Sequence, residues 1–272
     1  MTELLSYTFI RHAIIGSLLA SILCGFIGTY IVSKRLVFIS GGITHASFGG
    51  IGIGLFLGLP PMISAAIFSV LSAFGIQWFS RRQNMREDSA IAIFWTLGMS
   101  IGIICSYLTP GFTPDLSSFL FGNILNITGN DLYFLSVLTL ITGLTFIFFM
   151  RIIIYVAFDS EFARSQRIQV KWIEYAMMAL IALTIVACLR MVGIVLAISL
   201  LTIPQVTANI FTNSFRSIAL LAIPFGFIGC VGGLIFAYYY NIPSGAAIIF
   251  ISILLYLACK GISTLFKKRR RQ

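Results

Sequence analysis

Long apolar stretches follow one another along almost the whole chain, and they constrain its fold more than any other feature. They lie near residues 11–33, 36–58, 60–80, 89–110, 132–157, 173–190, 191–211, 217–240 and 243–264. Most have about the 20 residues that an α-helix needs to cross the hydrocarbon core of a bilayer. They are continuous apolar runs and not alternating strands, so they do not indicate a β-barrel. The pattern predicts an all-α integral membrane protein with about nine transmembrane helices.

The composition supports lipid as the main solvent of this protein. The 272 residues are 59% hydrophobic and only 10% charged, and the mean hydropathy is +1.02. A soluble domain of this length could not cover so much apolar surface with polar residues. We therefore predict a single transmembrane domain over residues 1–272. The segment LSSFLFGNILNITG, residues 116–129, is too short to span and predicts a re-entrant helix.

Lysine and arginine in the connections predict the orientation of the chain. Most of them fall on one side if the N-terminus is outside and the C-terminus is cytoplasmic, as the positive-inside rule requires. The loop 157–171 and the basic tail 265–272 are then cytoplasmic. The net charge of +10 is accordingly a topology signal, with anionic lipid headgroups as partners. The sequence contains no basic patch with interleaved aromatic residues of the kind that would indicate nucleic-acid binding.

Several features of enzymes and ion-coupled transporters are missing from the sequence. It contains neither the GxxxxGK[ST] phosphate loop nor the HExxH zinc motif. We therefore predict that the chain is not an enzyme and has no nucleotide site of its own. Its eight acidic residues fall at segment ends or in loops, whereas ion-coupled transporters usually keep a carboxylate at membrane depth.

The glycine-rich stretch GGITHASFGG, residues 41–50, places His45 inside an apolar segment. One interpretation is a helix-packing surface with a single hydrogen-bonded histidine. The other is a pathway-lining segment in which the imidazole of His45 transiently ligates a metal ion, with Thr44 and Ser47 beside it.

Two further stretches carry candidate functional residues. In AFDSEFARSQRI, residues 157–168, Asp159 or Ser160 can cap a compact helix. That helix would dock on a cytoplasmic motor through Asp159, Glu161, Phe162, Ala163 and Arg164, although a solvated loop is the alternative. In VGIVLAISLLTIPQVTA, residues 192–208, Pro204 predicts a kinked helix. Thr202, Gln205 and Thr207 can satisfy the freed carbonyls, and Thr202 and Pro204 are candidates for lining a pathway.

Six motifs occur in an order that resembles the ABC-3 permease family, the membrane subunits of zinc, manganese and iron ABC importers. They are RLVFISGGITHASFGG, REDSAIAI, DLSSFLFGNIL, AFDSEFARSQRI, VGIVLAISLLTIPQVTA and NIPSGAAII. The resemblance implies a type II ABC importer-like permease in the bacterial cytoplasmic membrane. It also implies a homodimer, a cytoplasmic ABC ATPase dimer and an extracytoplasmic metal-binding protein. It further implies that no cofactor is bound stably and that the divalent metal ion is the cargo.

The resemblance also implies roles for particular residues. The segment 159–168 matches the coupling helix that contacts the ATPase. The segment 41–46 matches a family motif, G-D-A-L-S-H-A, whose aspartate and histidine are thought to bind metal. His45 matches the histidine, but Gly42 stands where the aspartate is usual. The family also tends to have a glycine near Arg167, so the end of the coupling helix is expected to differ here.

Other functions are open at this level. A permease for a metal chelate such as a siderophore, haem or cobalamin shares the general architecture, and a secondary transporter works without ATP. The sequence does not choose between zinc, manganese and iron, because an imidazole suits several borderline metals.

Overall fold

The described part of the chain consists of helices and short connections, and the helices follow the apolar stretches of the sequence. The computed structural model describes residues 7–82, 85–110, 124 and 127–269. The ten described helices are α1 (Thr8–Ser33), α2 (Val37–Leu57), α3 (Pro61–Arg82), α4 (Glu87–Leu108), α5 (Gly129–Phe158), α6 (Ser160–Ser165), α7 (Val170–Leu200), α8 (Ile203–Ala208), α9 (Phe215–Tyr240) and α10 (Ser244–Arg269). The predicted all-α membrane fold is confirmed.

The predicted spans correspond to eight long helices and one shorter apolar stretch. Within the described residues, eight helical segments are long and apolar enough to cross a membrane. The remaining predicted span, 191–211, corresponds to the shorter apolar stretch Gly193–Ala208. Most of the predicted re-entrant segment, 116–129, lies outside the described residues.

Gly193 separates this shorter stretch from the span before it. Its φ of 74° and ψ of 177° interrupt α7, and this backbone region is accessible essentially to glycine alone. The interruption lies next to the predicted boundary between 173–190 and 191–211.

The second interruption, which we predicted as a kink at Pro204, lies two residues earlier. Thr202 has non-helical backbone angles, and Pro204 occupies the first turn of α8. A proline is well tolerated there, because the first turn of a helix has no partner for that N–H group. The predicted interruption is present, but Pro204 lies in the first turn of the helix that follows it and not within a helix.

The helices divide into a central and a peripheral group. Within an apolar 18-residue window of each helix, the share of buried residues is 67% for α1, 72% for α2 and 61% for Val170–Leu189. It is only 17–28% for α3, α4, α5 and α10. The peripheral helices are apolar as well, so their outer faces suit contact with lipid or with another protein.

Candidate functional site

The glycines of α2 allow its backbone to touch α4. A Cβ atom added to Gly98 of α4 would lie 2.5 Å from Ala46 Cα, and one added to Gly52 would lie 2.7 Å from Gly102 Cα. Such approaches exclude any larger side chain, which is how small residues bring membrane helices together. The helix-packing interpretation is confirmed for Ala46 of the glycine-rich stretch and for Gly52 just after it.

His45 lies beside this interface and is only partly buried. Its imidazole stacks on the indole of Trp95, with ring centroids 4.4 Å apart and ring planes at 4°. Its Nδ1 atom is buried and has no hydrogen-bond partner among the described residues. The packing interpretation assumed a hydrogen-bonded histidine, and the structure does not show that bond. The metal-ligand role of His45 stays a prediction.

Thr44 and Ser47 flank His45 but point into the protein. Both are fully buried. Thr44 Oγ1 donates a hydrogen bond to the Ser40 carbonyl, and Ser47 Oγ donates one to the Thr44 carbonyl at 2.5 Å. Their hydroxyl groups therefore satisfy the backbone of α2 in this conformation, and lining of a pathway by either residue stays a prediction.

Gly42 is surrounded closely by α4. A Cβ atom at this position would lie much closer to Ile91 Cγ2 than van der Waals contact allows, and Ile91 is itself buried. The side chain of Ile91 thus fills the space that a larger residue at position 42 would need. In this chain an isoleucine methyl group, and not a carboxylate, lies next to that turn of α2.

The described part of the chain has no cluster of three or more His, Cys, Asp or Glu side chains that could hold a metal ion. A closed structural cage of four protein ligands is therefore not formed by these residues. One partly exposed imidazole is compatible with brief ligation of a passing ion.

Around the second interruption, polar side chains satisfy backbone carbonyl groups as predicted. Thr202 Oγ1 donates to the Ile198 carbonyl at 2.8 Å. The amide of Gln205, which is fully buried, donates to the carbonyls of Cys24 at 2.7 Å and Leu200 at 3.3 Å. Gln205 thereby links α8 to α1. Pro204 is buried in the same region, and lining of a pathway by Thr202 or Pro204 stays a prediction.

The predicted compact helix in the loop 157–171 is α6, and its cap is confirmed. Asp159 Oδ1 accepts a hydrogen bond from the Phe162 N–H at 2.8 Å, whereas Ser160 is the first residue of the helix itself. Glu161 and Arg164 form an exposed ion pair at 3.0 Å. The ring of Phe162 is 45% exposed and lies edge-on to Tyr155. α6 therefore presents two charges and one aromatic ring outward.

The inner face of α6 is anchored by a small apolar cluster. Ala163 is buried with Val156 at the end of α5 and Val170 at the start of α7. α6 ends at Ser165, and Arg167, two residues later, has a left-handed backbone with φ 59°. The Arg167 N–H donates to the Arg164 carbonyl, and the Ile168 N–H donates to the Ala163 carbonyl. This is the helix termination that glycine usually provides, so the turn forms although arginine stands there.

An ionic cluster that the sequence interpretation did not identify lies near α6. The carboxylate of Glu174, in α7, is nearly fully buried. It accepts hydrogen bonds from Lys34 Nζ at 3.0 Å, from Gln77 Nε2 at 2.8 Å and from Arg81 Nη2. Burial is the main cause of a lowered pKa at Lys34, which Glu87 opposes and Arg81 reinforces.

A cleft of about 340 Å³ opens beside this cluster. Glu174, Lys34 and Arg81 line it, together with Ser160 and Arg164 of α6. The cleft therefore brings the end of α1, the end of α3, the start of α7 and the short helix α6 to one place. The only sequence signal for it was that the predicted orientation puts these charged residues on the same side of the membrane.

Comparison with known proteins identifies the chain at the level of a family. The model of the ABC 3 transport family matches residues 6–262. The chain belongs to the ABC 3 transport family.

Similar proteins match this ABC 3 family member along nearly their whole length. An uncharacterized membrane protein of Synechocystis is 35% identical, over 94% of this chain and 92% of that protein. The manganese transport system membrane protein MntC of Halalkalibacterium halodurans is 34% identical, over 93% and 87%. The solved structure of PsaBC from Streptococcus pneumoniae in complex with Fab superposes with a TM-score of 0.83 at 27% identity, over 94% and 92%.

One pentapeptide of this ABC 3 family member has the form of a hydrolase motif. Residues 98–102 read GMSIG, which fits G-x-S-x-G. In α/β-hydrolases that motif forms a strained strand-to-helix turn that exposes the serine. Here it lies inside α4, and its two glycines pack against α2. The match is therefore a helix-packing feature, in keeping with a transport subunit.

Proposed function

We propose that this chain is the membrane-spanning permease of an ATP-driven importer for a divalent transition-metal ion. The observation that carries the proposal is the family match over residues 6–262. Manganese is the ion named for the relative from Halalkalibacterium halodurans, and it is the first candidate here, with zinc and iron as the others. The ATP would be hydrolysed by a partner subunit, since the sequence has no phosphate-binding loop.

Two copies of the chain would form the pathway, and His45 would meet the ion within it. His45 is only partly buried beside the α2–α4 contact, and a second copy would approach it there. A transport site has to bind its ion weakly enough to release it. One imidazole from each copy, together with water, meets that requirement better than a closed cage does.

The short helix α6 would be the part of the chain on which the partner ATPase acts. In the orientation that the positive charges favour, it lies in the cytoplasm between two spans. Its exposed Glu161, Phe162 and Arg164 would fit a cleft on the ATPase, while its buried side is fixed by Ala163. ATP binding on the partner would then move α6 and shift the spans between two conformations. An extracytoplasmic binding protein would deliver the ion at the opposite side.

The test is uptake of radioactive manganese by proteoliposomes that contain the chain and the ATP-hydrolysing subunit that co-purifies with it. We expect uptake to require ATP and both subunits. Full uptake without the ATPase would instead identify a secondary transporter. Zinc, iron and a ferric siderophore supplied in parallel separate free ions from chelates.

His45→Ala tests the proposed ligand, and the other histidine supplies a matched control. His12 lies near the start of α1, and its Nδ1 is 3.2 Å from the Ile127 carbonyl oxygen. We expect His45→Ala to reduce uptake and His12→Ala to leave it near the wild-type rate, with both variants inserted normally. Equal rates for the two variants would assign His45 to packing.

A further inference from the structure

We infer that Glu174 is a positioning residue that passes a displacement of α6 to the turn between α1 and α2, and so to the helix that carries His45. The inference rests on the proposed function, since it explains how force applied at α6 reaches the pathway. Its basis is the buried carboxylate that binds three side chains from two other parts of the bundle.

The first step of the transmission is the attachment of α6 to α7. Ala163 and Val170 belong to one buried apolar cluster. The Ile168 N–H donates to the Ala163 carbonyl at 3.1 Å, and the Val170 N–H donates to the Ile168 carbonyl at 2.9 Å. Only a few residues separate the two helices, and these backbone hydrogen bonds hold the connection in one conformation. A movement of α6 therefore carries the first turn of α7 with it.

Glu174 lies one turn into α7, four residues after Val170. Its oxygens bind Lys34 from the α1–α2 turn and both Gln77 and Arg81 from α3. These charge-assisted hydrogen bonds are stronger than neutral ones. A shift in the first turn of α7 thus acts directly on α3 and on the α1–α2 turn.

The α1–α2 turn is short and conformationally defined, so it passes the shift to α2. The backbone of Arg35 is left-handed, with φ 60°. The Leu36 N–H donates back to the Ile31 carbonyl at 2.9 Å. Val37 then begins α2, and His45 follows two turns later. Lys34 is therefore held both by Glu174 and by a turn that leads into the helix with the imidazole.

A role in switching explains this cluster better than a role in stability alone. A buried ion pair is often no more stabilising than apolar side chains of the same size, because its charges lose their hydration. Here the two cations stay partly exposed, at 20% for Lys34 and 29% for Arg81, whereas Glu174 is 7% exposed. The adjoining cleft gives both cations room to move relative to the carboxylate.

The experiment measures manganese uptake per ATP hydrolysed in proteoliposomes containing the complete complex. The variants are Glu174→Gln, Lys34→Met and their double variant. Asp88→Asn is the matched control, because Asp88 is an exposed acid with a long 3.9 Å contact to Arg86. Thermal unfolding of each complex is recorded in parallel.

We expect Glu174→Gln to lower the uptake per ATP at least tenfold while ATP hydrolysis continues. Lys34→Met should lower it as well, and the double variant should be no worse than Glu174→Gln alone, since both changes break one link. Asp88→Asn should keep the wild-type ratio. An unchanged ratio in Glu174→Gln would overturn the inference. So would a loss of uptake that follows the loss of thermal stability and of ATP hydrolysis in proportion.

The experiment also gives a clear answer if a variant fails to assemble or if the wild-type complex does not transport. If Glu174→Gln does not assemble, Lys34→Met and Gln77→Leu decide, because each leaves Glu174 paired with Arg81; wild-type ratios in both would overturn the inference. If the wild-type complex itself takes up no manganese, zinc or iron, the proposed function fails, and the inference fails with it. A wild-type complex that transports while the variants stay fully coupled refutes the inference alone.

Discussion

The imidazole of His45 lies flat against the indole of Trp95, with a centroid separation of 4.4 Å and an angle of 4° between the ring planes. The two residues belong to α2 and α4, whose glycines bring the helices into backbone contact. The stack fixes the plane of the imidazole, so it determines the directions in which the ring nitrogens can meet an ion. The packing of two helices and the candidate ligand are therefore one structural unit.

Replacing Trp95 should change ion uptake through this stack. Aromatic pairs contribute about 0.5–1.5 kcal/mol beyond their area, which corresponds to a factor of about 2 to 12. We expect Trp95→Leu to lower the initial rate of manganese uptake at subsaturating ion by about that factor, whereas Trp95→Phe keeps most of it. Identical rates for Trp95→Leu and the wild type would show that the stack does not position His45.

Neighbouring glycines on α2 should respond oppositely to the same substitution. Gly42→Ala places a methyl group against the stiff, buried side chain of Ile91, and such overpacking costs about 1–3 kcal/mol. At Gly41 the nearest atom to a new Cβ is Ile198 Cδ1, at 3.7 Å. There we expect no loss, or a gain of up to about 1 kcal/mol from helix propensity. Thermal unfolding in detergent measures both.

A double variant shows whether Ile91 is the cause. Ile91→Ala removes the methyl group that Gly42→Ala would meet, so the two changes should not be additive in the unfolding free energy. If Gly42→Ala is as stable as Gly41→Ala, the close packing at position 42 is wrong.

The sequence predicted those parts of the molecule that depend on local chemistry. Helix spans follow from the length of apolar runs, and α6 follows from an aspartate that caps it. The ionic cluster could not be predicted in the same way. Glu174 is separated from Lys34, Gln77 and Arg81 by 140, 97 and 93 residues. Only the packing of α7 against α3 and the α1–α2 turn brings these side chains together.

Two other differences have physical reasons of the same kind. Pro204 signals a disturbed helix, but residue type alone does not tell whether it lies within a helix or in the first turn of the next. His45 stacks on Trp95, 50 positions later, because the glycines of α2 and α4 let the two helices pack in backbone contact. Patterns within one helix carry no information about such matches.

The cap of α6 should matter for coupling. Asp159→Ala removes the acceptor of the Phe162 N–H, and the loss of an N-cap costs about 0.5–2 kcal/mol. α6 has only six residues, so this loss should fray it. We expect faster amide hydrogen exchange at residues 160–165 and weaker ATPase stimulation. Asp159→Ser keeps a capping oxygen and should preserve both, and equal exchange in the two variants would contradict the role of the cap.

The left-handed backbone at Arg167 makes a second prediction for α6. Glycine adopts this conformation without steric cost, whereas a β-branched residue is strained in it. We expect Arg167→Gly to keep the fold and the docking of the ATPase, while Arg167→Val destabilises the complex by about 1–3 kcal/mol. Thermal unfolding and co-purification of the ATPase measure these effects.

Arg164→Val is the control for loss of charge, since Arg164 lies within the helix. Its stability should change little, although its docking should weaken. If Arg167→Val were as stable as Arg167→Gly, the helix would end in another conformation; if Arg167→Gly lost the ATPase, the arginine side chain itself would be part of the docking surface.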